Sequence, residues 1–175
     1  MDQYLRKKLT DGKKVKGLFE IYGLALEKQS KGDKVVHMEI GRPDFDTPKI
    51  IKDAAISALE DGQVYYTDTK GILPLRQAVS AKTKEMIGVE YNPNTEIVIT
   101  VGASEALDLI WKTFLDEDDE VIIPSPFYGA YTLQLNYSDK KYVTVPILNE
   151  DGSVDYNIRK FKNVLSPNTK MILIN

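Results

Sequence analysis

Cysteine is absent from all 175 residues. Its absence excludes disulfides, thiolate nucleophiles and cysteine-ligated metals together, and it points to a reducing compartment, the cytoplasm. Histidine is nearly absent too: His37 stands alone, with no second His or Cys to complete a metal triad, so a satisfied structural role is expected for it and no metal site. An excess of positive charge is also missing. Lys plus Arg number 23 against 26 Asp plus Glu, a net charge of -3, so no global basic field exists to hold nucleic acid or an anionic membrane. No apolar run approaches the ~18 residues of a membrane span. The opening MDQYLRKKLTDGKK lacks the apolar centre of a signal peptide, and repeats and low-complexity tracts are absent.

What is present begins with a basic opening: Arg6, Lys7, Lys8, Lys13, Lys14 and Lys16 suggest a solvated arm. The spacing of Leu18, Ile21, Tyr22 and Ala25 predicts a helix to about Ser30, and Val35 to Ile40 reads as a short strand broken by Gly41-Arg42-Pro43-Asp44. Thr47-Pro48 resembles a helix start, with a hydroxyl cap and Pro in the first turn. Ile50, Ile51, Ala54, Ala55, Ala58 and Leu59 then form one apolar face as far as Asp61-Gly62. After the polar loop Thr67 to Gly71, a further amphipathic helix is expected over Ile72 to Ile87.

From Glu96 onward short β-branched runs alternate with helical spacing. Strands are predicted at Ile97 to Val101, Val121 to Ile123, Tyr142 to Val145 and Met171 to Ile174. Helices are predicted at Ser104 to Leu115, Tyr128 to Asn136 and, capped by Asp155, Tyr156 to Leu165. This βαβαβαβ order argues for an α/β fold with a doubly wound, mainly parallel sheet covered on both faces. In such sheets ligand-binding loops follow strand ends, so Met171 to Asn175 either leads into such a loop or closes the sheet.

The strongest chemical signal is Ile97-Val98-Ile99-Thr100-Val101-Gly102-Ala103-Ser104-Glu105-Ala106-Leu107, a strand running through small residues into a helix. Small side chains let an anion reach the first free N–H groups, the helix dipole adds attraction, and the Ser104 hydroxyl can donate as well. No G-x-G-x-x-G or G-x-x-x-x-G-K-[ST] spacing is present, so a single phosphate monoester suits the turn better than a pyrophosphate or triphosphate. The alternative is an ordinary Ser N-cap on a tight turn. Pro124-Ser125-Pro126-Phe127-Tyr128-Gly129-Ala130-Tyr131 follows the next strand. Its prolines stiffen the loop, so Tyr128 can serve as a stacking platform for a planar ring, while Phe127 and Tyr131 suit the core. Asp116-Glu117-Asp118-Asp119-Glu120 lacks the alternating ligands and Gly of a calcium loop and reads as a solvated turn.

Four segments in order resemble the N-terminal part of class I (fold-type I) pyridoxal-phosphate-dependent aminotransferases. Ile40-Gly41-Arg42-Pro43-Asp44-Phe45-Asp46-Thr47-Pro48 is similar to the family's G-x-P-D-F-x-T-P. Tyr66-Thr67 through Gly71 to Leu75-Arg76 is similar to its Y-x-x-x-x-G-x-x-x-L-R. Gly102-Ala103-Ser104-Glu105-Ala106 matches its phosphate turn, and Asp119-Glu120-Val121 to Pro126-Phe127-Tyr128 its D-E-V-x-x-x-x-P-x-aromatic stretch. One departure is Glu117-Asp118, where the family usually has Pro-Gly.

The resemblance implies residues 1–48 as N-terminal arm and small-domain segment. It makes 49–175 part of the PLP-binding large domain, cut after its fourth strand. It implies pyridoxal 5'-phosphate as cofactor, amino acid and 2-oxo acid substrates, and a homodimer. Gly102, Ala103 and Ser104 would hold the cofactor phosphate, Tyr128 would stack on the pyridine ring, and Gly41 would meet the substrate carboxylate through its backbone. Tyr66 would reach the phosphate in a partner subunit's site, and the basic arm before Val15 would lie on the neighbour. In the family, the Asp at the pyridine nitrogen, the Schiff-base Lys and the carboxylate-clamping Arg come after the segment matching Met171 to Asn175. No catalytic residue is therefore assigned here, and the isolated chain is expected to be inactive and to fold poorly, with unpaired apolar strand edges. A carbon–sulfur lyase or cyclopropane-forming synthase relative, and a non-catalytic fragment or split-enzyme half, are the alternatives. Gly41 to Phe45 favours the aminotransferase.

Overall fold

In α1 (Leu18–Ser30) and α2 (Lys49–Glu60) the expected helices form, and both belong to a compact unit that ends at Thr67. A second unit runs Asp68–Asn175. The computed structural model describes residues 18–175, so the basic opening and its expected place on a neighbour lie outside the described residues.

In the first unit, the run Val35 to Ile40 is not a strand. A strand needs a ladder partner, and here the segment is instead fastened to α1 through side chains. The His37 Nδ1 lies 2.6 Å from a Glu39 carboxylate oxygen, its Nε2 lies 3.2 Å from the Gln29 amide oxygen, and its ring meets Tyr22 edge-on at 6.0 Å. The lone histidine has the structural role expected of it. The Thr47 hydroxyl does not cap α2: Pro48 occupies the cap position with no side-chain bond, and the Thr47 N–H donates to the Asp46 carboxylate at 2.7 Å. The helix therefore begins one residue later than a Thr47 cap would place it, with the Ile51 N–H donating to the Pro48 carbonyl at 3.0 Å. Among residues 18 and 20–67 no side chain is buried.

The second unit opens on a turn in which Gly71, at φ +91°, is obligatory. An added Cβ would lie 2.7 Å from Ile99 side-chain carbons, and the Ile99 N–H donates to the Lys70 carbonyl at 2.9 Å. α3 (Leu73–Ile87) follows, closed by Gly88 in the left-handed conformation at φ +74°. On it Arg76 is buried, its Nε donating to the Gly71 carbonyl at 3.0 Å, another guanidinium nitrogen to the Pro93 carbonyl, and its remaining nitrogen 3.7 Å from Asp68. Multiple acceptors compensate the desolvated cation.

The expected strand Ile97 to Val101 is likewise not a strand. Among the described residues its backbone bond to a distant segment is that of the Ile99 N–H to the Lys70 carbonyl, and no strand runs alongside it. It leads into α4 (Gly102–Phe114), then β1 (Glu120–Ser125), α5 (Ala130–Tyr137), β2 (Lys141–Pro146), α6 (Ile158–Val164) and β3 (Thr169–Ile172). The parallel sheet has order β2-β1-β3, with Val121 opposite Tyr142 on one side and Met171 on the other. Successive β1 side chains point to opposite faces. Val121 and Ile123 join Trp111 and Leu115 from α4 and its end and Leu135 from α5, while Ile122 joins Val145, Ile147 and Phe161. Helices therefore cover both faces of the central strand, as the alternation predicts.

The helix near the end is capped by Asn157, whose side chain accepts the Arg159 N–H at 2.9 Å, not by Asp155. The Asp155 N–H donates to the Ile147 carbonyl at 2.7 Å and its carboxylate pairs with Lys160 at 3.3 Å, so the chain is still extended where a cap was expected. The acidic run divides. Asp116, Glu117 and Asp118 are exposed, whereas the Glu120 carboxylate accepts hydroxyls of Ser166 at 2.6 Å and Thr169 at 2.8 Å and joins β1 to the start of β3. No helix among the described residues is long and apolar enough to cross a membrane.

Candidate functional site

The turn into α4 is built from backbone. Val101, at φ -76° and ψ 75°, centres a tight turn in which the Gly102 N–H donates to the Thr100 carbonyl at 2.9 Å. Gly102 then reverses to φ +73°, with no atom within 4 Å of where a Cβ would stand. The Val101 N–H is taken by the Glu105 carboxylate. The N–H groups of Ala103 and Ser104 and the Ser104 hydroxyl are left with no acceptor or partner among the described residues, and all of these residues are exposed. Val101, not Ser104, holds the N-cap position, and no side chain caps it. The alternative of an ordinary Ser cap is thereby removed. What is left is an open turn with free donors at the positive end of a 13-residue helix.

The carbonyl side of this first turn is anchored to α5, where the Gln134 amide nitrogen donates to the Ser104 carbonyl at 3.1 Å. One turn earlier on α5, Tyr131 packs against the buried cluster, as does Phe127, and Tyr128 remains 56% exposed with its ring edge-on to Tyr131 at 5.5 Å. The Ser125–Pro126 peptide bond preceding them is cis. Tyr131 donates its hydroxyl to the Asn175 side chain, and Tyr156 donates to the Asn175 carbonyl at 3.1 Å. Gln134, Tyr156 and Asn175 thus join the cradle, the aromatic loop and the end of β3. Sequence reasoning did not single them out as site residues, because nothing local marks partners 30, 19 or 44 residues apart.

Gly102, Ala103, Ser104 and Tyr128 all belong to the second unit; Gly41 and Tyr66 belong to the first. At Gly41 the Arg42 N–H donates back to the Ile40 carbonyl at 3.0 Å, and the surroundings of Gly41 are open. An open pocket of about 680 Å³ beside it is lined by Arg42 to Thr47. Tyr66 is fully exposed. In this unit Glu39 is held below its usual value, chiefly by its hydrogen bond to His37. Among the described residues, no cluster of His, Asp and Glu has the makings of a metal site.

The sequence profile of the family Aminotransferase class I and II matches residues 33–175. A protein of Aquifex aeolicus named probable aspartate/prephenate aminotransferase is 40% identical over 151 residues, which cover 86% of this chain and 38% of that protein. The aspartate aminotransferase of Pyrococcus horikoshii is 38% identical over 149 residues, covering 85% of this chain and 38% of its own length. Among solved structures, the aspartate aminotransferase from Thermus thermophilus with maleate superposes with a TM-score of 0.85 at 32% identity, covering 96% of this chain and 43% of that one. This chain thus spans 38% of the length of these two curated relatives.

Proposed function

This chain belongs to the aminotransferase class I and II family, and from that premise we propose that the whole protein is a pyridoxal-5'-phosphate-dependent aminotransferase acting between an amino acid and a 2-oxo acid. The observation that carries the cofactor is the entry to α4. A glycine at φ +73° with open space above it precedes two unpartnered N–H groups and an unpartnered hydroxyl. That donor set fits a phosphate monoester: the positive helix end complements its charge, and Gly102 leaves the space beside the donors open. Bound there, pyridoxal phosphate would supply the electron sink needed to move the amino group.

The residues of this chain then have binding and orienting work. The Ala103 and Ser104 N–H groups and the Ser104 hydroxyl hold the phosphate, with Gly102 keeping the approach clear. The exposed Tyr128 ring, steadied edge-on by Tyr131, supplies a flat apolar face for the pyridine. Gly41 offers backbone to the substrate carboxylate. Tyr66 donates its hydroxyl to the cofactor phosphate bound by a partner subunit, which makes the whole protein a homodimer, and the lack of cysteine in this chain suits the cytoplasm. Sedimentation of the fully active protein as a monomer would overturn the dimer.

The cradle is tested by Ser104→Ala in the whole protein. Removing one charge-assisted donor is expected to weaken pyridoxal phosphate binding by about 1.5 to 3 kcal/mol. Unchanged affinity in an equilibrium titration would remove Ser104 from the site.

A further inference from the structure

Trp111 is fully buried, and its indole N–H, which can only donate, finds its acceptor in the Gln134 side-chain oxygen at 3.3 Å. That bond decides which way round the Gln134 amide lies, because an indole N–H cannot face the amide nitrogen. The NH2 end is thereby turned to the Ser104 carbonyl, at 3.1 Å. Gln134 is thus locked by a core residue on one side and holds the first turn of α4 on the other.

The first turn needs such a hold. No side chain caps α4, and the Glu105 bond to the Val101 N–H is internal to the turn. Among the described residues, Gln134 is the side chain outside the turn that is hydrogen-bonded to Ser104. Helix ends fray, and a donor set that must first be ordered binds its ligand more weakly than one held in advance.

We propose that Gln134 is a positioning residue for the phosphate cradle, transmitting the rigidity of buried Trp111 to the donors of Ala103 and Ser104. Its neutral amide also avoids the repulsion that a carboxylate would direct at a phosphate. This inference rests on the cradle reading above. It adds that part of the phosphate affinity is set by a side chain that never touches the phosphate.

The test compares the affinities of pyridoxal 5'-phosphate and pyridoxal, which lacks the phosphate, for the whole protein and for Gln134→Glu and Gln134→Met. Gln134→Glu keeps an acceptor for the Trp111 indole, so the buried donor remains paired, and an unchanged thermal unfolding midpoint reports an intact core. Both variants should lose about 3- to 10-fold in the preference for pyridoxal phosphate over pyridoxal, the worth of one hydrogen bond, with pyridoxal affinity unchanged. A preference that survives in both variants overturns the role of Gln134. So does a loss confined to Gln134→Glu, which would be charge repulsion alone, or an equal loss for both ligands, which would be general loosening. A parent protein with no preference for pyridoxal phosphate refutes the cradle itself, and this inference with it.

Discussion

In α2 the apolar face that patterns the helix lies open, with Ile50 78%, Ile51 57% and Leu59 65% exposed, whereas in α4 a residue of the same kind of face, Trp111, is sealed at 0%. Both helices form where the 3.6-residue spacing places them, so the spacing governs the helix and not the company it keeps. In the second unit β1 supplies that company, since its alternating side chains give α4 and α5 one surface and α6 the other. The first unit has no sheet among the described residues, and its order comes from polar ties such as His37 to Glu39 and Gln29. The pattern is therefore necessary for a core and insufficient for one.

The largest expected effect tests that contrast. Trp111→Ala removes the biggest sealed side chain and should cost about 3 to 5 kcal/mol, whereas Ile50→Ala should change stability by less than about 0.5 kcal/mol. Chemical denaturation followed by far-UV circular dichroism measures both, and comparable costs would break the comparison. Next is a glycine pair. Gly71→Ala forces a Cβ to within 2.7 Å of Ile99 at φ +91°, and about 1 to 3 kcal/mol should be lost, while the same exchange at Gly41, with nothing within 4 Å, should be close to neutral. Thermal unfolding of the two variants would show equal shifts if the Ile99 approach were unimportant.

The smallest effect is in pH. Glu120 is held below its usual 4.5 first by the Ser166 hydroxyl and then by that of Thr169. A lowered folded value means that the stabilisation is present above 4.5 and is lost as pH falls through the folded value. Glu120→Gln should therefore flatten the acid limb of the stability curve. Glu39→Gln should flatten it less, because Glu39 is tied to one imidazole in a region without a core. Acid titrations that show the reverse order would mean that the polar ties of the first unit matter more than the strand junction of the second.

Much of this was legible in the chain itself. The α3 and α4 spans follow from apolar spacing, and the alternation after Glu96 announces a parallel sheet with helices on both faces. The cradle is legible because Val101-Gly102-Ala103-Ser104 is contiguous, and contiguous residues share one local geometry. Gln134 is not legible: its two partners lie 23 and 30 residues away, and a lone glutamine on a helix has no local signature. The Asp155 cap misleads for a related reason, since Asp155 and Asn157 are both good caps and the strand-like bond of Asp155 to Ile147 decides between them.

By itself, then, the sequence determined helices, order of elements, the donor-rich turn at Gly102 and the family resemblance, because each is written in neighbouring residues through dihedral preference, spacing or motif. Only the tertiary structure decided that Val35 to Ile40 and Ile97 to Val101 are not strands, that Glu120 ties β1 to the start of β3, and that Trp111 reaches Ser104 through Gln134. These are ladder and side-chain bonds between distant residues, and a ladder exists only when a second segment supplies its groups. A β-branched run is a strand at Glu120–Ser125, between two partners, and a tethered loop at Ile97 to Val101, whose backbone bond to a distant segment among the described residues is that of Ile99 to Lys70.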